Sequence, residues 1–258
     1  KTSIDSLKLR NDELGLLSNS LDDMTLELQK RVTHAENFST DLVHEIRNPL
    51  ASLKSASEII SDTSDKDKQE KLLKIMTHDV SRIDRLITDY SQILKDELAI
   101  SSEQMEDLDL KPIIESVVDD FNNIYIEKKN VNIKLNTSGS KNYIIKGISN
   151  RIEQIIANLL DNAVSFSKKG SIVYVNLDKN ENYTLLKVSD EGEGFKESDI
   201  KKVFDRFYSN RPENFGEHSG LGLNIVKNLV QIHKGQIYAS NSPKGGAMIE
   251  IKFPKTYN

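Results

Sequence analysis

Two long amphipathic stretches constrain the fold more than any other feature of the sequence. In the later stretch, apolar residues recur in alternating steps of three and four. They are Leu73, Met76, Val80, Ile83, Ile87, Tyr90 and Leu94. This spacing places them along one side of a helix, and such a stripe has to be covered by another element.

The earlier stretch carries a similar stripe, and together the two predict a helical hairpin. Its apolar positions are Phe38, Leu42, Ile46, Leu50, Leu53 and Ile60. The polar segment "SDTSDKDK" between the stretches is short enough to join antiparallel helices. One hairpin cannot cover both stripes, whereas two hairpins packed as a four-helix bundle can, so we predict a homodimer. A further stripe from Leu14 to Leu28 predicts a coiled coil upstream.

Composition excludes several classes of function. The 258 residues include no cysteine, which excludes disulfides, thiolate metal sites and cysteine nucleophiles. A net charge of −5 provides no footprint for DNA or RNA, so we expect no nucleic-acid partner. No apolar run is long enough to span a membrane. Because the chain begins with Lys1 instead of methionine, we expect it to be a fragment of a longer protein.

After about residue 109 the pattern changes and predicts an α+β sandwich, a sheet with helices on one face. Helical spacing marks "PIIESVVDDFNNIYIEKK", "SNRIEQIIANLLDNAVSFS" and "SGLGLNIVKNLVQIHKG". Alternating patterns predict strands in "VNIKLNT" and "YIIKG" and hairpins in "SIVYVNLDKNENYTLLKVSD" and "QIYASNSPKGGAMIEIKF". The fold prediction is a helical hairpin that forms a dimeric four-helix bundle, followed by this α/β sandwich.

The stretch "DLVHEIRNPLASLKSA" places a histidine away from the apolar stripe. His44 lies two residues from the nearest stripe position on either side, and Asn48 at i+4 shares its face. Glu45 is adjacent, and Pro49 lacks a backbone N–H and predicts a bend. A neutral imidazole beside a carboxylate can act as a nucleophile, but a solvated surface histidine would show the same pattern.

Three later segments have patterns suited to a nucleotide. Asn158 and Asn162 share one helix face, where amide oxygens can ligate Mg²⁺ beside phosphates. Asp190 follows a strand and precedes Gly192 and Gly194, so its carboxylate can accept a hydrogen bond from the adenine amine while the glycines admit the base. The glycines of "HSGLGLNIVKN" start a helix, where N–H groups favour phosphate. Each pattern alone also fits a polar surface stripe, a turn or an ordinary helix start.

Together these segments resemble the conserved boxes of two-component sensor histidine kinases. "FSTDLVHEIRNPLASL" is similar to the histidine box, and the three segments above resemble the N, G1 and G2 boxes in order, with "VFDRFYS" resembling the F box. The resemblance implies a Bergerat-type domain that binds ATP and Mg²⁺. It implies catalytic roles for His44, Glu45 and Asn48, metal binding by Asn162, and nucleotide contacts from Asn158, Asn162, Asp190, Gly192, Gly194, Arg206, Ser219, Gly220, Leu221, Gly222 and Leu223.

The resemblance also implies a reaction and a partner. His44 would take the γ-phosphoryl group of ATP and pass it to an aspartate of a response regulator, with Glu45 in the acid–base role. Asn48 matches the residue that orients water when the same enzyme dephosphorylates its regulator. Ser165 and Ser209 stand where many members have Lys or Arg, so arginines near the lid-like loop "NRPENFGEHS" would neutralise the phosphates instead.

The resemblance implies four segments. Residues 1–31 would be a HAMP helix and signalling coiled coil, 32–98 the dimerisation and phosphotransfer domain, 99–110 a hinge linker, and 111–258 the catalytic ATP-binding domain. "NDELGLLSNSLDDM" resembles the second helix of a HAMP domain, which implies membrane attachment through segments missing upstream. The chain would then be the cytoplasmic portion of a bacterial inner-membrane protein, and it looks most similar to alphaproteobacterial ChvG-type kinases.

Two other functions remain open at this level. A Bergerat-fold ATPase could hydrolyse ATP to drive a conformational cycle without a phosphohistidine. A non-catalytic dimeric scaffold could retain the fold with a degenerate nucleotide site. The complete set of asparagines, aspartate and glycines argues against the scaffold.

Overall fold

In the computed structural model the chain forms two compact units, one ending at Leu86 and the other beginning at Ile87. The structure describes residues 12–99, 104–139, 142–196, 198, 200–208, 220–243 and 245–255. The helical unit and the unit that contains the sheet are described separately below.

The first unit is built on two long helices, α1 (Glu13–Asp62) and α2 (Lys66–Ala99), the second of which extends into the other unit. The 50 residues of α1 correspond to a length of roughly 75 Å at 1.5 Å per residue. Asp12 caps α1, because its carboxylate accepts a hydrogen bond from the Gly15 N–H at 3.2 Å. The helix assignment runs through Pro49 without interruption, and the bend there stays a prediction.

The short connection between the helices is held by its own polar groups. Asp65 Oδ1 accepts hydrogen bonds from the N–H groups of Asp67 and Lys68, which satisfies two donors at the start of α2. The Gln69 amide donates to the Thr63 carbonyl at 2.8 Å. The predicted helical N-terminal region is confirmed.

The second unit contains a five-stranded sheet whose order is β2-β4-β5-β7-β6. Only the β2–β4 pair is parallel, and the other pairs in this sheet are antiparallel. Its strands are β2 (Asn132–Thr137), β4 (Ile172–Lys179), β5 (Tyr183–Ser189), β6 (Gln236–Asn241) and β7 (Ala247–Pro254). The strands predicted from alternation are therefore present.

Three helices complete this unit and cover one face of the sheet. They are α3 (Leu110–Lys129), α4 (Ser149–Phe166) and α5 (Gly222–Ile232). Along β4, Val173, Val175 and Leu177 are buried, whereas the intervening Tyr174 and Asn176 are partly exposed. This alternation shows that one face of β4 lies in the core, as in the predicted α/β sandwich.

A second, two-stranded sheet corrects the predicted hinge. The segment expected to be a linker, residues 99–110, ends in strand β1 (Glu106–Asp109), which pairs antiparallel with β3 (Ile144–Gly147). Asp109 then caps α3 and also accepts a hydrogen bond from the Tyr143 N–H at 3.0 Å. Sequence patterns missed β1 because its charged residues lack an apolar alternation. A hinge before residue 106 stays a prediction.

The apolar stripes of the helical unit remain uncovered in the single chain. In α1, Leu17, Leu21 and Leu28 are each about half exposed or more, and in α2 Val80 is 56% exposed. Exposed contiguous apolar surface of this kind marks an interaction face. No helix among the described residues is long and apolar enough to cross a membrane.

Candidate functional site

The histidine segment presents its polar face to solvent. The side chains of His44 and Asn48 are both exposed, as their i, i+4 spacing predicts, and the adjacent Pro49 is buried. An exposed imidazole on a long helix is accessible to a second domain or protein. This face therefore has the geometry that a phosphoacceptor requires.

Glu45 departs from the simple expectation of a carboxylate beside the imidazole. Its Oε2 accepts a hydrogen bond from Arg82 Nη2 on α2 at 2.9 Å. Both side chains are mostly buried, with exposures of 26% for Glu45 and 14% for Arg82. Sequence analysis missed this pair because its partners are 37 residues apart, and only the register of the hairpin brings them together.

The asparagine helix α4 packs with its apolar residues inward, as predicted. Ile152, Ile155 and Leu159 are buried, whereas Asn158 and Asn162 are partly exposed. The Asn158 Nδ2 is itself buried and has no hydrogen-bond partner in the described part of the chain. An orphaned amide donor at this place indicates a partner outside the described residues, such as a ligand.

Asp190 has the most constrained side chain of the site. It is 7% exposed, and its Oδ1 accepts hydrogen bonds from the N–H groups of Gly192 at 2.8 Å and Ala247 at 3.1 Å. Burial raises the pKa of Asp190 above its ordinary range, and these two donors only partly offset that effect. Within the described residues Oδ2 makes no hydrogen bond, so one carboxylate oxygen remains available to a ligand.

The turn between β6 and β7 holds the Asp190 loop, which sequence analysis did not predict. A Cβ on Gly246, whose φ is +83°, would lie 1.9 Å from the Asp190 carbonyl oxygen. Asn241 Oδ1 accepts a hydrogen bond from the Phe195 N–H at 2.7 Å, and its Nδ2 donates to the Phe195 carbonyl at 2.8 Å. Gly194 has φ +77°, and a Cβ there would collide with Asn241.

The predicted F and G2 segments are in direct contact. A Cβ on Gly220, whose φ is +73°, would lie 2.8 Å from the backbone of Phe207. Phe207 itself has φ +57°, a conformation that is unfavourable for a bulky residue and is found most often at functional sites. Asn224 on α5 donates to the Phe204 carbonyl at 2.9 Å and so fixes the F segment to the helix.

The start of α5 lies beside the asparagine helix. Leu221 is fully buried at the N-cap, Leu223 is half-buried, and no side chain in the described part of the chain caps this helix. A Cβ on Gly222 would be 3.5 Å from Asn162 Nδ2. Two predicted nucleotide segments, 60 residues apart in the sequence, therefore adjoin in the fold, and a helix N-terminus that no described side chain caps suits an anion.

Part of the predicted site lies outside the described residues. This holds for Ser219, for Ser209 and for the lid-like loop, since residues 209–219 are not described. Arg206 lies in the described segment 200–208 and is half-buried. Its predicted contact with phosphate stays a prediction.

The residues present fit an adenine nucleotide and a magnesium ion. The open oxygen of Asp190 can accept from an amine, the uncapped start of α5 can bind phosphate, and the orphaned amide of Asn158 lies on the same helix as Asn162. No cluster of three His, Cys, Asp or Glu side chains that could hold a metal exists among the described residues. A Mg²⁺ held by an amide and by phosphates needs no such cluster.

Comparison with known families matches both units. Residues 35–99 match the His Kinase A (phospho-acceptor) domain, and residues 147–257 match the histidine kinase-, DNA gyrase B- and HSP90-like ATPase family. His44 falls in the first match, and the asparagines, Asp190 and the α5 glycines fall in the second.

Curated relatives are sensor kinases. The chain is 36% identical to the sensor protein ChvG of Agrobacterium fabrum over 93% of this chain and 42% of that protein. It is 35% identical to the sensor protein ChvG of Rhizobium meliloti over 98% of this chain and 45% of that protein. The chain thus spans less than half the length of these relatives.

Solved structures show the same fold. The histidine kinase ThkA, in a crystal structure with the response regulator protein TrrA, has a TM-score of 0.67 and 23% identity, covering 88% of this chain and 64% of that one. The Acinetobacter baumannii histidine kinase AdeS has a TM-score of 0.58 and 24% identity, covering 83% of this chain and 98% of that one. At these identities the likeness concerns the fold alone.

Proposed function

The chain belongs to the two-component sensor histidine kinase family, and on that premise we propose that it phosphorylates its own His44 from Mg-ATP. The observation that carries the proposal is that His44, which lies within the phospho-acceptor match, is exposed. The same chain contains an ATPase-family domain in which one oxygen of the buried Asp190 carboxylate is available to a ligand. Residues 32–98 would form the phosphoacceptor domain and 111–258, with β1, the ATP-binding domain.

We propose the roles of the nucleotide residues from the family resemblance, and their geometry supports these roles. Oδ2 of Asp190 accepts a hydrogen bond from the exocyclic amine of adenine. Gly192 and Gly194 have no side chains, so the backbone there can approach the base. The start of α5, from Gly220 to Leu223, binds phosphate through backbone N–H groups. Asn158 and Asn162 would bind the metal ion and the phosphates, with Asn162 as the ligand of Mg²⁺. The ion would neutralise phosphate charge, and Arg206 and Ser219 would complete the phosphate contacts.

The exposed imidazole of His44 is accessible to the γ-phosphate of ATP in the proposed phosphoryl transfer. A ring nitrogen of His44 forms a bond to the γ-phosphorus, the bond from that phosphorus to the β–γ bridging oxygen breaks, and ADP leaves with the electron pair. The N–H proton of the ring passes to Glu45. Most of the rate enhancement would come from positioning and charge neutralisation.

The uncovered stripes support a homodimer. Val43, Leu50, Val80 and Ile87 are about half exposed in the single chain, and a second hairpin would cover them. This arrangement would bury apolar surface that a lone chain leaves in water.

We propose a response regulator as the partner that receives the phosphoryl group on an aspartate. The relative ThkA has been crystallised with such a protein. Asn48 shares the exposed face of His44 and would orient water for dephosphorylation of the regulator. Membrane attachment would come through segments upstream of this chain, which would place it on the cytoplasmic side of a bacterial inner membrane.

Incubation with γ-labelled Mg-ATP tests the proposal. We expect phosphate that is labile in acid and stable in alkali, lost in His44→Gln and retained in His78→Gln, a matched change on the same hairpin. A simple Bergerat ATPase would release phosphate without labelling the protein. A scaffold would show no thermal shift with Mg-ATP. Either of these results would contradict the proposal.

A further inference from the structure

The ion pair at Glu45 bears on how the proposed phosphoryl transfer is controlled. Glu45 has to receive the ring proton of His44, yet its Oε2 is engaged by Arg82 Nη2 at 2.9 Å. A carboxylate that is held by a guanidinium is directed away from other partners, because Arg fixes carboxylates in a rigid geometry. Oε2 of Glu45 can therefore accept the proton only after Arg82 releases it.

A second acceptor for Arg82 lies one helical turn away. Asp79 on α2 is 8% exposed, and its Oδ2 is buried without a hydrogen bond in the described part of the chain. Its Oδ1 lies 3.8 Å from Nδ1 of the neighbouring His78, a distance too long for a hydrogen bond. A buried carboxylate without a donor is unfavourable, so this position calls for a cationic partner.

Arg82 is suited to be that partner. Residues at i and i+3 lie on the same helix face, so Asp79 is within reach of the Arg82 side chain. The guanidinium carries five N–H donors, and Arg82 can pair with either carboxylate by rotating its side chain. Arg82 therefore lies near two acidic groups of the helical hairpin: Glu45, which it already contacts, and Asp79, whose Oδ2 has no hydrogen bond in the described part of the chain.

We propose that Arg82 is a positioning residue that alternates between Glu45 and Asp79 and so sets whether Glu45 can take the proton. This inference rests on the proposed function. With Arg82 on Glu45, as in this structure, His44 is held without its proton acceptor. With Arg82 on Asp79, Glu45 is free to rotate toward the imidazole.

The proton balance of the reaction shows why this matters. As a ring nitrogen of His44 bonds to the γ-phosphorus and ADP departs, the other ring nitrogen loses its proton. That proton goes to Glu45 only in the arrangement with Arg82 on Asp79. The Glu45-bound arrangement leaves the exposed face of His44 and Asn48 unchanged, and it is the arrangement we assign to dephosphorylation of the regulator.

Initial rates of autophosphorylation test this arrangement. Asp79→Asn removes the alternative partner, so Arg82 stays on Glu45, and we expect kcat to fall roughly tenfold, the scale of one lost charged hydrogen bond. KM for ATP should not change, because the nucleotide residues are untouched. The melting temperature should not fall, because the variant replaces a buried carboxylate whose Oδ2 has no hydrogen bond in the described part of the chain. The exposed Glu58→Gln, a matched loss of charge on the same hairpin, should retain the wild-type rate.

Second-site rescue separates positioning from a structural effect. Arg82→Gln frees Glu45 permanently, so it should phosphorylate at least as fast as wild type, and the double variant Asp79→Asn/Arg82→Gln should recover the wild-type rate. A double variant as slow as Asp79→Asn, a slow Arg82→Gln, or an Asp79→Asn that matches wild type would overturn the inference while leaving the proposed function intact. Absence of His44 phosphorylation in wild type would overturn both.

Discussion

The helical hairpin and the ATP-binding unit differ in where their apolar side chains go. In the described part of α1 and α2, only Pro49, Ala56 and Leu86 are buried among the larger apolar residues, while the other unit holds the rest of the core. The two helices instead leave a row of half-exposed apolar residues in water. The ATP-binding unit therefore has a core of its own, whereas in the proposed homodimer a second copy would complete the core of the hairpin.

The largest expected effect is on dimerisation through the exposed apolar stripe of the hairpin. Val80→Asp places a charge on the uncovered stripe, and in a dimer that charge would be buried without a partner. We expect dimerisation to weaken at least ~100-fold, since an uncompensated buried charge costs several kcal/mol. Light scattering across a dilution series measures this. Ser81→Asp, exposed and off the stripe, should stay dimeric, and an unaffected Val80→Asp dimer would contradict the assignment of the interface.

The next largest effect is on the stability of the ATP-binding unit, at the turn that holds the Asp190 loop. Gly246→Ala should destabilise the ATP-binding unit by about 3 kcal/mol or more, because its positive φ costs about 1–2 kcal/mol and its Cβ collides with the Asp190 carbonyl. Gly245→Ala is the matched control, with φ +89° but nothing within 4 Å of the added Cβ. Urea titration should show the larger loss for Gly246→Ala. Equal losses of stability in the two variants would show that the collision of the added Cβ with the Asp190 carbonyl does not contribute.

Replacing Asp190 in the ATP-binding unit should change protein stability and nucleotide affinity in opposite directions. Because burial raises its pKa, ionisation of Asp190 costs stability, and that cost appears as pH rises through the raised pKa. Asp190→Asn should therefore raise the melting temperature at pH 7, with the difference vanishing below the ordinary range of an aspartate. Nucleotide affinity should fall about 10- to 100-fold through loss of the adenine contact. Thermal shift with and without Mg-ATP measures both effects.

The control for this variant is Asp178→Asn, an exposed aspartate of the same sheet whose pKa is lowered by its hydrogen bond from Ser138. It should bind Mg-ATP like wild type. An Asp190→Asn protein that still shifts fully with Mg-ATP would show that the base is bound elsewhere.

The smallest expected effect concerns a buried histidine of the ATP-binding unit. His233 Nδ1 lies 2.7 Å from the Leu229 carbonyl, and its Nε2 accepts a hydrogen bond from the Ile148 N–H at 3.1 Å. Burial lowers its pKa, so the stability it contributes is present above the ordinary histidine range and is lost as pH falls through the lowered pKa. Melting temperatures between pH 8 and 5 should fall more steeply for wild type than for His233→Gln. Parallel curves would contradict a neutral buried ring.

Local patterns were sufficient to predict much of this fold. The three- and four-residue steps identified α1 and α2, and alternation identified β4 and β5. When one face of a helix or strand is buried, its apolar residues recur with the period of that element. The exposure of His44 and Asn48 followed from the same period. The charged strand β1 escaped because it has no such alternation, and its pairing with β3 depends on residues about 38 positions away.

The supports of the site could not be predicted in this way. Asn241 and Gly246 hold the Asp190 loop only because β7 pairs with β5, which brings Ala247 to Asp190 across 57 residues. Arg82 reaches Glu45 only through the register of the hairpin. Contacts of this kind depend on strand order and helix register, and neither leaves a local pattern.

The site of phosphorylation tests the central claim most directly. Mass spectrometry of peptides prepared at neutral or alkaline pH after incubation with Mg-ATP would locate the phosphoryl group. We predict that it lies on His44 in wild type and is strongly reduced in Asp190→Asn at a low Mg-ATP concentration, since in this account the hairpin supplies the acceptor and the other unit supplies the nucleotide. A phosphoryl group on another residue such as His78, or an unmodified His44 in a protein that binds ATP, would contradict this account.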